Sequence, residues 1–194
     1  KKEKKNYKNF IHSCGKSSYK QTQFIIDNWK KTYPHLTILY HQEKINLKCH
    51  QQENITYIDK KLQEKQFKDL LNEKGVHLCC SETEGFGHYI NEAKSCKSVV
   101  ITTNSGPMNE FIKNNNFLVD VEEKIMIKDC LGERNILDKI SFHKIITNVL
   151  NMNNDELIKE GGNNRENYLK DKQNFRNNLK ETFNYIFNEV NKIE

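Results

Sequence analysis

The chain has 194 residues, of which 36% are hydrophobic, and a formal net charge of +5 at pH 7. That length suits one domain, and the apolar residues cluster in short runs, which excludes a disordered polymer; no run is long enough to cross a bilayer. The charge is carried by lysine, with arginine only at Arg134, Arg165 and Arg176; lysine suits solvated surface better than bidentate recognition, and with no aromatic-and-Arg platform a nucleic-acid partner is not expected.

In chain order, residues 9–12 read as a first strand, followed by a helix with Phe24, Ile25 and Trp29 on one face. Residues 36–40 read as the second strand and 54–58 as the third. A helix is expected over 61–74, where Phe67, Leu70 and Leu71 recur at helical spacing, with Gly75 stopping it. Residues 76–80 form the fourth strand, 87–96 a helix and 98–103 the β-branched fifth strand. A short helix follows Gly106-Pro107, with Met108, Phe111 and Ile112 apolar, and residues 117–121 make the sixth strand. Beyond Val121 the alternation stops. Ile140, Ile145, Ile146, Val149 and Leu150 mark one helix, and Phe175, Leu179, Phe183, Ile186 and Val190 trace another stripe, read most simply as core, or as a packing face for a neighbour outside the chain. Residues 161–164, Gly161-Gly162-Asn163-Asn164, are expected to turn the chain before it.

Short strands without a polar face, alternating with helices, imply an α/β fold: a doubly wound, Rossmann-like parallel sheet of about six strands, with C-terminal helices. The whole chain, 1–194, reads as one domain, with the sheet core over about 9–121 and the helical segment over about 138–194.

The six cysteines have neither zinc spacing nor a small-scaffold disulfide pattern. Free buried thiols in a reducing compartment, the cytoplasm (a host's cytoplasm for a viral chain), are the simpler reading. Trp29 reads as core, and His12, His77 and His143 as satisfied core or surface residues. Cys14-Gly15-Lys16-Ser17 looks like the end of a P-loop, but that motif needs glycine where Phe10 stands.

In an open parallel sheet, ligands bind beyond the carboxyl ends of the strands where the order reverses; in the order 3-2-1-4-5-6 that is between strands one and four. The loops meeting there are residues 13–20, with Gly15, Lys16 and Lys20, and residues 81–87, Ser81-Glu82-Thr83-Glu84-Gly85-Phe86-Gly87. Gly85 and Gly87 let backbone approach a ligand, and the next helix offers unpaired N–H groups to a diphosphate. Lys16 and Lys20 add positive charge. Glu84 can accept from two sugar hydroxyls, and Glu92, about one and a half turns into the helix, from a ribose. The pattern describes a site for phosphates joined to sugar.

Residues 81–93, continuing His88-Tyr89-Ile90-Asn91-Glu92-Ala93, resemble the E-x7-E signature of retaining GT-B glycosyltransferases, notably family four. Glu84 and Glu92 have that spacing, and Gly85-Phe86-Gly87, Ala93, the strand over 98–103, Gly106-Pro107 and Glu110 also match. The resemblance runs over roughly 10–121 and is dense between 76 and 112. It implies a donor-binding domain that helps move a sugar from a UDP- or GDP-sugar to an acceptor hydroxyl on a glycan, protein or lipid, with no cofactor and no metal. Glu84 and Lys20 would take the catalytic roles, holding the donor sugar and the diphosphate. Gly15, Lys16, Ile58, Gly85, Phe86, Gly87, His88, Tyr89 and Glu92 would bind substrate: backbone at 86–89 on sugar and phosphate, Glu92 on ribose, Ile58 beside the base. The basic pair departs from the family in spacing and in lacking arginine, and the glycine before the base-reading position is replaced. A GT-B enzyme needs two such domains, so the N-terminal acceptor domain is expected to lie outside this chain, which alone would transfer poorly. A sugar-nucleotide epimerase of the same fold and a non-catalytic nucleotide-sugar-binding module are the competing readings.

Overall fold

Leu36–Tyr40 (β2) and Val99–Thr103 (β5) have no polar face, and every residue of both is buried, as strands covered on both sides must be. They belong to a six-stranded parallel sheet with Asn6–Gly15 (β1), Ile55–Ile58 (β3), Lys74–Cys79 (β4) and Leu118–Val119 (β6), in the order β3-β2-β1-β4-β5-β6. The computed structural model describes residues 5–41, 43, 45–128 and 132–190, the last two by backbone alone. The order reverses between β1 and β4, as the alternation predicts. The fold is a Rossmann-like α/β domain with helices at its C-terminal end.

Thr22–Asn28 (α1) buries Ile25 and Ile26. Trp29, just past its end, stacks edge-on against Phe10 of β1 at 5.1 Å and Tyr33 at 5.2 Å, confirming it as core. Glu64–Glu73 (α2) starts on a capping box in which Gln63 and Gln66 exchange side-chain bonds with backbone. His88–Ser95 (α3) buries Ile90, Ala93 and Lys94. Lys139–Asn151 (α4), capped by Asp138 through Ser141 N–H, buries Phe142, Ile145, Ile146 and Val149; Ile140, assigned to that stripe from sequence, is 78% exposed.

Four expectations change. Helix α2 ends without help from Gly75: Lys74 is already extended, and Gly75 lies within β4. A Cβ there would come 2.3 Å from Tyr7 Cα, so the glycine permits close approach of β4 to β1. The sixth strand is only two residues long; the chain then leaves the sheet as an antiparallel hairpin of Val121–Met126 (β7) and Glu133–Leu137 (β8), which the sequence reading missed. Residues 161–164 do not turn the chain. Asn154–Val190 (α5) is one helix of 37 residues, and a Cβ on Gly161 would meet Lys97 O at 2.2 Å, so this glycine admits a neighbouring backbone into contact. Finally, the stripe on the far half of α5 is not core in this chain: Phe175, Leu179, Phe183 and Ile186 are 44–56% exposed. A helix of that length spans about 55 Å, far longer than the sheet it leaves. The side chain of Val190 lies outside the described residues.

His12, His77 and His143 are structural. Buried His12 meets Leu78 O at 2.8 Å and Thr22 Oγ1 at 2.9 Å. His77 faces Leu71 O and Lys74 O, and His143 bonds the Tyr33 hydroxyl. Burial lowers His12 to about 4 and His77 to about 3, keeping both neutral. Cys14, Cys79 and Cys80 are free and buried, Cys96 is half-buried and Cys49 exposed; Cys130 lies outside the described residues. No described helix is long and apolar enough to cross a membrane.

Candidate functional site

At the switch point, β1 ends in Gly15 with φ +58°, a left-handed conformation that favours glycine. Its carbonyl accepts from His41 N–H at 2.9 Å, which ties the loop after β2 to the same rim. A single 3-10 turn, Ser18–Lys20, follows, with Ser17 capping Tyr19 N–H. It delivers the Lys20 side chain across the crevice. On the other side, β5 anchors the start of the β4 loop: Thr102 Oγ1 donates to Cys79 O at 2.7 Å and Thr103 Oγ1 to Ser81 O at 2.6 Å. The loop then turns through Gly85, around which space is open. It enters α3 at Gly87, whose φ is +64° and where a Cβ would collide with the Phe111 ring at 2.7 Å.

These two loops meet. Lys20 Nζ forms an ion pair with Glu84 Oε1 and donates to Ser81 Oγ at 3.2 Å. It also sits 3.7 Å from the Tyr89 ring centre, a cation–π distance. Ser81 Oγ donates to Glu84 Oε1 at 2.6 Å and lies 2.5 Å from the Tyr89 hydroxyl. Burial lowers the Lys20 ammonium to about 8, while Glu92 and the nearby thiols of Cys79 and Cys14 oppose that shift; the paired Glu84 carboxylate acts in the same opposing sense. Lys20 and Glu84 therefore neutralise one another in a nearly closed cluster.

Glu92 belongs to a different surface. It lines a cavity of about 570 Å³ with Gly85, Phe86 and His88 from the motif, and with Tyr168, Asp171 and Phe175 from α5. Burial raises its carboxyl above the usual range, opposed by His88 and Lys20, so Lys20 is within electrostatic reach of both acids. Phe86 is 59% exposed and stacks on the His88 ring at 4.7 Å. The wall from α5 is held by Arg165 Nη1 on Ser95 O at 2.8 Å, Asn164 on Ser98 O at 3.0 Å, and Lys94 with Asp171 at 2.9 Å. The first of these caps an orphan carbonyl at the end of α3.

Lys20, Glu84 and Tyr89 are thus in contact; Gly85, Phe86, His88 and Glu92 share the adjoining cavity, with Gly87 forming the hinge between. Gly15 opens on the same rim. Two expected residues stand apart: Lys16 is exposed, with no ion pair among the described residues, and Ile58 lines a separate groove along α2 with Lys61, Gln63 and Gln66. The sequence reading assigned Tyr89 only through its backbone, missing its ring, and missed Arg134 and the α5 wall altogether. One signal for Arg134 was available: it is one of three arginines in a chain that otherwise uses lysine.

A doubly wound sheet with polar groups converging at its switch point defines the class of open α/β domains that bind ligands beyond the carboxyl ends of their strands. Residues 2–133 match the family described as glycosyl transferases group 1, and the chain belongs to that family. No curated protein sequence matches it. Among solved structures, it is similar to a glycosyltransferase from Rickettsia africae (19% identity, TM-score 0.65, 91% of this chain and 47% of that one). It is also similar to the C-terminal domain of LpcC, a glycosyl transferase group 1 family protein from Francisella tularensis (18%, 0.59, 86% and 87%). A third is Anabaena HepE, solved in complex with UDP and glucose (15%, 0.60, 91% and 49%). The chain spans about half the length of the Rickettsia and Anabaena proteins and most of the Francisella domain, and its fold is that of GT-B C-terminal domains.

Proposed function

We propose that this chain is the donor-binding domain of a retaining glycosyltransferase that moves a hexose from a UDP- or GDP-sugar to an acceptor hydroxyl. The observation that carries this reading is the meeting of the β1 and β4 loops at the switch point, with Lys20 against Glu84. A donor offers both residues a better partner at once: Glu84 turns to the sugar hydroxyls, and Lys20 to the diphosphate. The amides of residues 86–89 at the start of α3, unpaired within the helix, add positive potential where charge develops on the departing diphosphate. Glu92 holds the ribose at the edge of the cavity. Gly15 leaves room for the phosphates, and Lys16 is an outlying positive charge. The acceptor, and the opposite wall of the cleft, belong to a second domain.

Support comes from the family membership, from the geometry above, and from the Anabaena protein of the same fold, which was solved with UDP and glucose. Calorimetric titration with UDP-, GDP- and ADP-glucose tests it, with Glu92→Ala as control. At least one should bind with a Kd in the micromolar to millimolar range, and more weakly to the variant. Equal indifference of both proteins to all three would overturn the reading.

A further inference from the structure

The β7–β8 hairpin lies outside the sheet, yet β8 reaches both loops of the site. Those loops are first bonded to each other, Glu82 N–H donating to Tyr19 O at 2.8 Å. Asn135, 1% exposed, then uses both its backbone N–H and its side-chain Nδ2 to donate to Glu82 O, each at 2.9 Å. Arg134 Nε donates to the buried Glu82 carboxylate, and the guanidinium stands 5.7 Å over the Tyr19 ring. One step further, Leu137 N–H donates to Gln21 Oε1 at 3.0 Å, fixing a residue that itself holds a positive φ of 53°. Lys20 sits between Tyr19 and Gln21, and Glu84 two residues beyond Glu82. Both members of the ion pair are thus flanked by residues that β8 grips.

We infer that β8 is a clamp for the donor site, with Arg134 and Asn135 as positioning residues that hold the Lys20 turn and the Glu84 loop in register for a sugar diphosphate. Neither touches the proposed substrate position; they act through Glu82, Tyr19 and Gln21. A planar guanidinium suits this task because it can bond a carboxylate through one edge and cover an aromatic ring with its face, which a lysine ammonium cannot do together. That explains an arginine at a position where this chain's habit is lysine. The inference rests on the function proposed above, and its test is chosen to separate the two.

The experiment compares wild type, Arg134→Met and Arg134→Lys by three measurements. These are the Lys20 titration by NMR of lysine labelled at Cε, amide hydrogen exchange over residues 18–22, and calorimetric affinity for UDP-glucose. In Arg134→Met, loosened loops admit water, so the Lys20 midpoint should rise from about 8 towards 10.5, and exchange over 18–22 should quicken at least tenfold. UDP-glucose affinity should fall about tenfold, the loss of one charge-assisted positioning bond. Arg134→Lys should restore less than half of each change. A purely structural hairpin would lower the melting temperature while leaving the Lys20 midpoint and local exchange as in wild type, and that result overturns the clamp. If wild type binds no nucleotide-sugar, the functional reading fails, while the titration and exchange still decide the clamp. If Arg134→Met does not fold, Tyr19→Leu, which removes only the face under the guanidinium, is read in the same way.

Discussion

The two halves of the candidate site are built on opposite plans. The Lys20–Glu84–Ser81–Tyr89 cluster is half-buried around a buried Ser81, internally bonded and electrically self-satisfied. The Glu92 half is an open cavity whose far wall comes from α5. A cluster that already satisfies itself needs a ligand with two complementary ends to open it, so under the proposed function it would discriminate a sugar diphosphate from a bare phosphate. An open cavity needs only shape and one acceptor, so under the proposed function it would contribute affinity with less selectivity.

The sharpest way to break this contrast is to remove one member of the pair. In Glu84→Ala, Lys20 loses its internal competitor and is free for phosphate, while the sugar loses its acceptor. UDP should then bind as tightly as to wild type or tighter, whereas UDP-glucose loses its advantage over UDP; hydrogen bonds to a carboxylate are worth about 1.5–3 kcal/mol, so that advantage should shrink about 10- to 100-fold. Lys20→Ala should weaken both ligands together by a similar factor. Calorimetry of both ligands on both variants decides, and parallel losses in Glu84→Ala would mean that the pair does not divide the ligand in this way.

Proton binding sharpens the same half. Lys20 must be charged to hold a diphosphate, and burial places its ligand-free midpoint at about 8. UDP affinity should therefore be flat just below pH 8 and fall above it, by at most tenfold per pH unit for one proton, with that fall absent in Lys20→Met. The linkage to folding has the opposite sense. The folded midpoint lies below the value of 10.5 for an exposed lysine, so between pH 8 and 10.5 the unfolded state binds more protons, and wild type should gain stability relative to Lys20→Met. Denaturant titrations of the two proteins at pH 7 and 10 check the sign.

A smaller effect belongs to the open half. Glu92→Gln keeps an acceptor but removes the charge and should weaken UDP and UDP-glucose equally, by a few-fold, the scale of one neutral-for-charged hydrogen-bond exchange. In wild type, acidification should do the same as Glu92, whose carboxyl is raised by burial, takes up its proton. A change in the preference for UDP-glucose over UDP would blur the division between the halves.

The two halves were not equally legible. Glu84, Gly87 and Glu92 lie within one short segment, so spacing alone places them about one loop and one helix, and the strand alternation carries Lys20 to the same rim. The hairpin and the α5 wall depend on contacts across 52 to 116 positions, such as Arg134 with Glu82 and Leu137 with Gln21. No local period records such contacts. The hairpin was further hidden because β7 is mostly exposed and so shows no apolar run. Gly75 and Gly161 were read as stops because glycine has two uses; sequence does not distinguish release of the chain from admission of a neighbour.

That ambiguity yields the smallest effect, from two adjacent positions on α5. At Gly161 a Cβ would press on Lys97 O at 2.2 Å, whereas at Gly162 nothing lies within 4 Å. Both sit inside the same helix, so alanine brings each the same gain in helix propensity, about 0.5–1 kcal/mol. Gly162→Ala should keep that gain and raise the melting temperature by a few degrees. Gly161→Ala must push α5 away from the α3–β5 turn, an overpacking cost of about 1–3 kcal/mol, and should be net destabilising. Because Arg165 and Asp171 follow on the same helix, the shift also moves the cavity wall, and UDP affinity should fall in Gly161→Ala but not in Gly162→Ala. Equal stabilisation by both alanines would mean that α5 is not seated on Lys97, and the cavity beside Glu92 would lose its far wall.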